Sequence, residues 1–541
     1  MIRPSVLHVV CYSCVHLCVL AAQAQSPDMI LYHGHIFTGD TAIPWVEAIS
    51  IHGNTILATG SNAKVMATAD KHTQIIDLQG RMAMPGINDA HEHVGGARYG
   101  IEAVTKLPPA AHPSIDDVAE AVRVAAGGAA AGEWIHGEIG SPAISNPVQT
   151  MTAIDKAAGD HPVILQSWVG HGAILNRLAL AKLGITDGTP DPIGGHYDRD
   201  SDGHLTGKLE EYAGDAIWMR LADQAEVEKA VSEFRPYVHE RLEQGVTSVQ
   251  VMATNQRLVN LEKTFIQADQ PIRIRIMRFP IPAEDALNGD RTGSGEEVLT
   301  PLIRVAGVKW VLDGTPIDDQ LAFETKDYPG RPGWRGRPNF SVDFIGTQLK
   351  LALTGKDQLM LHIVGDAMTD EVMDEMEKLA PAERWRPLRV RFEHGDGFTT
   401  PERLARAHKL GIVVAQPRPG RNFRGFLDAG VTLAYGSDHG MAPFFMFSVM
   451  TSPGNPNAIS RLEALAVLTS GPAFAEFQET KKGKLTPGML ADVAVLSQDI
   501  MTAAPPDLPK TTSVLTLVGG KVAYRSSSFE TAASAAVQER H

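Results

Sequence analysis

Short apolar or alternating runs mark both ends of the chain. Met29-Ile30-Leu31-Tyr32, Ala48-Ile49-Ser50-Ile51 and Gln74-Ile75-Ile76-Asp77-Leu78 are parted by the turn sequences His52-Gly53-Asn54 and Leu78-Gln79-Gly80. Runs of this length between Gly- and Asn-bearing turns read as strands. The same texture returns in Ala491-Asp492-Val493-Ala494-Val495-Leu496 and in Val514-Leu515-Thr516-Leu517-Val518. The economical expectation is one β-sandwich domain composed of residues 28–83 and 480–525, with the rest of the chain inserted between its halves. The Ser- and Ala-rich stretch 526–541 is expected to be poorly ordered.

Between the ends, strand-like and helical patterns take turns. Strand-like runs fall at 83–93, Val246–Met252, Ile272–Arg278, Val305–Leu312, Leu359–Ile363, Val390–Glu393, Ile412–Ala415 and Val431–Tyr435, eight in all. Helices between them carry start and stop signals. Thr400-Pro401-Glu402 opens one that Gly411 closes, and Ser460 to Glu463 has the spacing of a capping box. Eight such units predict an α/β fold, a (β/α)₈ TIM barrel over 84–479. The first and second runs are too far apart for one helix to join them. That gap predicts an insertion at about 130–215, forming a wall or lid over the site.

Composition narrows the function. Charged residues are 21% and hydrophobic ones 43%, an ordinary globular balance. A formal charge of −14 without Lys/Arg clusters argues against a nucleic-acid partner. Residues 1–24 read as a secretory signal: Arg3, the mostly apolar Val6–Leu20, then Ala22-Gln23-Ala24 before a cleavage at Gln25. A retained anchor is the alternative; with cleavage, the expected location is secreted or periplasmic, with no membrane partner. Cys11, Cys14 and Cys18 all lie in that segment, so the mature chain would hold no disulfide, thiolate site or cysteine nucleophile. A small-molecule substrate is the expected partner, and a homodimer is left open.

The densest chemical signal is Pro85-Gly86-Ile87-Asn88-Asp89-Ala90-His91-Glu92-His93. Histidines at i and i+2 on a strand point to one face, so both can reach one ion. His362, His394 and Asp438 each stand where a strand-like run ends, the functional face of a TIM barrel. A lone histidine there is more often a hydrogen-bonded core residue. Five placements on strands one, five, six and eight together point to metal. Lys309 lies within the fourth run. It is either a lysine carboxylated by carbon dioxide that bridges metal ions, or one half of an interior ion pair.

These motifs resemble the amidohydrolase superfamily, specifically the amidohydrolase-3 group that includes YtcJ-like proteins and N-substituted formamide deformylases. The resemblance rests on the strand-one motif ending at His93; on Val308, Lys309, Asp313 and Gly314; and on His362 with Gly365-Asp366. Arg391-Phe392-Glu393-His394, Gly436-Ser437-Asp438, Gly207-Lys208-Leu209-Glu210-Glu211 and Gly488-Met489-Leu490-Ala491-Asp492 extend it over roughly 28–522. Two departures lie near the pocket: His439-Gly440 stands where the group often has Trp-Pro, and Thr315 follows Asp313-Gly314 where it often has Ser.

The resemblance implies hydrolysis of a non-peptide C–N bond in a small organic substrate by metal-activated hydroxide. One or two Zn²⁺ ions, or another divalent metal, would be held by His91, His93 and Asp438 and by His362 and His394, with carboxylated Lys309 between. Asp438 would shuttle the proton. With one metal, His394 would polarise the carbonyl. His171, Glu211 and His439 are candidate substrate contacts; His136, His196 and Trp168 are weaker ones, better read as structural. Rival readings are ester or lactone hydrolysis, an isomerisation, or a periplasmic metal- or ligand-binding protein without turnover.

Overall fold

The computed structural model describes residues 25–254, 256–282, 295–317, 319–417, 419, 421–438 and 440–529. The expected leader at 1–24 and the expected substrate contact His439 lie outside the described residues. Among those described, no helix is long and apolar enough to cross a membrane.

Parallel strands Ile87–Glu92, Val246–Met252, Arg273–Arg278, Ile303–Val311, Leu359–Ile363, Arg391–His394, Val413–Ala415 and Thr432–Ala434 pair in chain order. Backbone hydrogen bonds join the eighth to the first: Ala90 N–H donates to the Tyr435 carbonyl at 2.8 Å, and Asp438 N–H to that of His91 at 2.9 Å. Nearly every strand residue is buried, as expected where helices cover one face and the lumen the other. The capping signals are present: the Thr400 side chain accepts from Arg403 N–H, left-handed Gly411 ends that helix, and Ser460 and Glu463 form the capping box.

The lumen is polar below the site. Arg391 on strand six reaches Gln250 on strand two and the Ala90 carbonyl on strand one, both at 2.7 Å. Met252, Met277 and Met360 pack beside this network. Gly86 lets strand one lie flat on strand two, since a Cβ there would fall 2.2 Å from Thr247 Oγ1.

Both chain ends build the second domain. In its larger sheet, Val493–Leu496 pairs antiparallel with Met82–Pro85, so a C-terminal strand zips against the strand that leads into the barrel. A four-stranded sheet of N-terminal strands packs on it around Leu31, Ile49, Val493, Leu515 and Leu517. The expected disordered tail needs correction at its start. Phe529 is buried, with Arg81 and Arg525 over its ring, because its apolar surface completes that core.

The insertion also begins earlier than 130. Its six-stranded sheet runs from Ile101–Ala103 to Leu205–Glu211. Helix Ile115–Gly128 belongs to it, because Val118, Ala121, Val122 and Ala125 share that sheet's apolar core.

Candidate active site

The candidate ligands gather at the C-terminal mouth of the barrel. His91 and His93 face the same way, their Nε2 atoms 3.1 Å apart, as the i, i+2 spacing requires. Asp438 Oδ1 is 3.4 Å from His91 Nε2 and 3.5 Å from His93 Nε2. His394 Nε2 is 2.9 Å from His362 Nδ1. Ligand atoms of His91, His394 and Asp438 all lie within 4.8 Å of one another. His394 therefore stands with the first group as well as beside His362.

Strand parity explains part of this arrangement. Arg391 and Glu393 point into the lumen, so His394 would face outward by alternation. Its φ of 73° breaks the alternation and swings the ring back. Asp438 has φ 44° and Gln416, just past strand seven, 55°. Left-handed conformations outside glycine cost about 1 kcal/mol or more each and cluster where function demands them.

A further layer orients the rings. His91 Nδ1 is 2.7 Å from Glu393 Oε2, His93 Nδ1 is 2.6 Å from Thr254 Oγ1, and His394 Nδ1 meets the Gln416 side-chain oxygen. Asp89 accepts from the N–H groups of His91 and Ser437 at 3.2 and 2.9 Å, tying strand one to strand eight. Asp313 accepts from Phe323, Val364 and Gly365 and so fixes the loops after strands four and five. Burial pushes its carboxyl up to about 7, against those three donors. None of these supports was assigned from sequence. Thr254 and Gln416 obey the same strand-end rule that found the ligands, and Glu393 adjoins His394.

Lys309 is buried on strand four. Burial lowers its pKa to about 8, with Arg391 adding to the effect and Glu393 and Asp438 opposing it. Burial pushes Asp438 up, but His91, His394 and His93 outweigh it and hold the carboxylate well below its usual range.

The insertion brings His171 over the site. Its ring centroid is 4.5 Å from that of His362, and its Nδ1 is 3.1 Å from both Glu211 carboxylate oxygens. Glu211 is buried and sits at φ 53°, ψ −133°, a conformation strained for any side chain. His136 is buried in the inserted sheet, its pKa held down to about 4 by burial and by Arg98 and Lys229. His196 pairs with Asp191 at 2.5 Å, and Trp168 packs near His112.

Gly436 controls the strand-one to strand-eight contact. A Cβ there would lie 2.5 Å from that of His91 and 2.9 Å from that of Gln416. Gly436→Ala is expected to cost about 1–3 kcal/mol by overpacking and to weaken metal binding. Urea unfolding of the metal-free protein and a chelator titration check both; unchanged values would contradict this reading.

A model of the amidohydrolase family matches residues 74–524. Protein LONG AFTER FAR-RED 3 of Arabidopsis thaliana is 27% identical, the match covering 92% of this chain and 91% of that protein. N-substituted formamide deformylase of Arthrobacter pascens is 24% identical over 92% of this chain and 99% of its own. Among solved structures, an uncharacterized metal-dependent hydrolase from Pyrococcus horikoshii OT3 superposes with a TM-score of 0.65 at 18% identity, covering 88% of this chain and 99% of that one.

Proposed function

This chain belongs to the amidohydrolase family, and on that premise we propose that it hydrolyses a non-peptide C–N bond in a small organic amide. The observation that carries the reading is the convergence of His91, His394 and Asp438 within 4.8 Å at the barrel mouth. Three donor groups of the kinds that bind divalent metal, converging on one point at the barrel mouth, form a ready ligand set. Imidazole and carboxylate suit a divalent ion of the zinc type. His91, His93 and Asp438 would hold one ion, and His362 and His394 a second, with carboxylated Lys309 between them. Bound there, such an ion supplies Lewis-acid polarisation and lowers the pKa of water.

The protein's own groups do the rest. Asp438 is 26% exposed where His91 is 1%, so its carboxylate can meet both water and substrate. Placed beside His91 and His93 and open to the barrel mouth, it is the group positioned to take a proton from water and return it to the leaving nitrogen. His171 faces the substrate from the inserted wall, and buried Glu211 orients it. The relative named a formamide deformylase supports trying N-substituted formamides first.

Chelator treatment should abolish hydrolysis of such amides, and added Zn²⁺ should restore it. Undiminished turnover by metal-free protein would sink the proposal. Turnover of esters or lactones in place of every amide tested would keep the site and reassign the substrate. We also propose secretion with cleavage before Gln25, which N-terminal sequencing of the exported protein would check.

A further inference from the structure

We infer that the buried Arg391–Glu393 pair is a positioning device that makes His91 the anchor ligand of the metal site, an inference that rests on the metal-binding reading above. Both side chains are 0% exposed. Arg391 grips Glu393 with two bonds, Nε to Oε1 at 2.9 Å and Nη2 to Oε2 at 3.0 Å. It spends its other donors on the Ala90 carbonyl and on Gln250 Oε1, both at 2.7 Å. The guanidinium is thus fixed to strands one and two, and the carboxylate is fixed to the guanidinium. Glu393 Oε2 then accepts a hydrogen bond from His91 Nδ1–H at 2.7 Å. That bond selects the tautomer whose Nε2 lone pair faces His93 and Asp438.

Two physical points separate this arrangement from ordinary packing. A fully buried ion pair is a poor way to stabilise a fold, since apolar residues of like volume usually serve as well or better. And the ring partners are graded: His91 has a carboxylate, His93 a threonine hydroxyl, His394 a glutamine amide. A carboxylate partner raises the basicity of a ligating imidazole more than a neutral one does. The charged partner stands behind His91, the ligand on the strand whose next residue but one is also a ligand.

The test is Zn²⁺ affinity by chelator competition, with urea unfolding of the metal-free protein in parallel. Glu393→Gln is expected to lose about 10–100-fold in affinity, and to lower the urea midpoint because Arg391 is left unpaired. The double variant Glu393→Gln with Arg391→Met removes both charges. It is expected to regain part of the midpoint, since the Ala90 carbonyl loses its Arg391 donor, but to keep the affinity loss, and its Co²⁺ form should show a shifted visible spectrum. Thr254→Val should lose less than Glu393→Gln. Wild-type affinity in the refolded double variant, or a greater loss from Thr254→Val, would overturn the inference while leaving the metal reading intact. Wild-type protein that binds no metal would overturn the metal reading itself.

Discussion

Asp438→Asn is expected to lower kcat by about 10²–10⁴-fold, the usual contribution of a positioned proton carrier, while bound metal stays near the wild-type level. Asparagine keeps the shape and one oxygen that can face His91 and His93, whose Nε2 atoms lie 3.4 and 3.5 Å from Asp438 Oδ1. It loses the second basic oxygen and the charge. Steady-state turnover and elemental analysis of the same preparation separate the two roles. Activity within a few-fold of wild type would remove Asp438 as the proton carrier. Loss of metal and activity together would make it a ligand first.

The second large effect is expected at Lys309. Wild-type protein should carry about two equivalents of divalent metal, as in a site whose ions share a bridging ligand. Lys309→Ala should carry one or fewer and be nearly inactive. The side chain is 1% exposed on strand four, where burial opposes its charge and the Glu393 and Asp438 carboxylates favour it. A buried amine is a better nucleophile than an exposed ammonium, and on taking up carbon dioxide with loss of a proton it becomes an anionic carbamate. One equivalent in both proteins would return Lys309 to its other reading, one half of an interior ion pair.

The barrel strands and the positions of the candidate ligands are legible in the sequence because each depends on a local rule. Strand runs are apolar where both faces are covered, and ligands stand where those runs stop. That rule places His362, His394 and Asp438 at strand ends, but not the left-handed backbone of the last two. What supports them depends on contacts across the lumen, which no local pattern records. Arg391 and Gln250 are 141 positions apart, and His93 and Thr254 161. The start of the insertion was missed because helix Ile115–Gly128 looks like any barrel helix; only its buried face shows which sheet it serves. The inward turn of His394 is hidden too, since a φ of 73° runs against strand alternation.

The composite domain has a consequence for the order of events during folding. All the candidate ligands lie between residues 91 and 438, yet Met82–Pro85, which leads into His91, waits for Val493–Leu496 as its antiparallel partner. Until those C-terminal strands are in place every candidate ligand is present, but the strand that leads into the first two has a bare edge. The metal centre is therefore expected to mature only after the last strands arrive. A chain stopped near residue 480 would contain the whole ligand set and still fail to hold it.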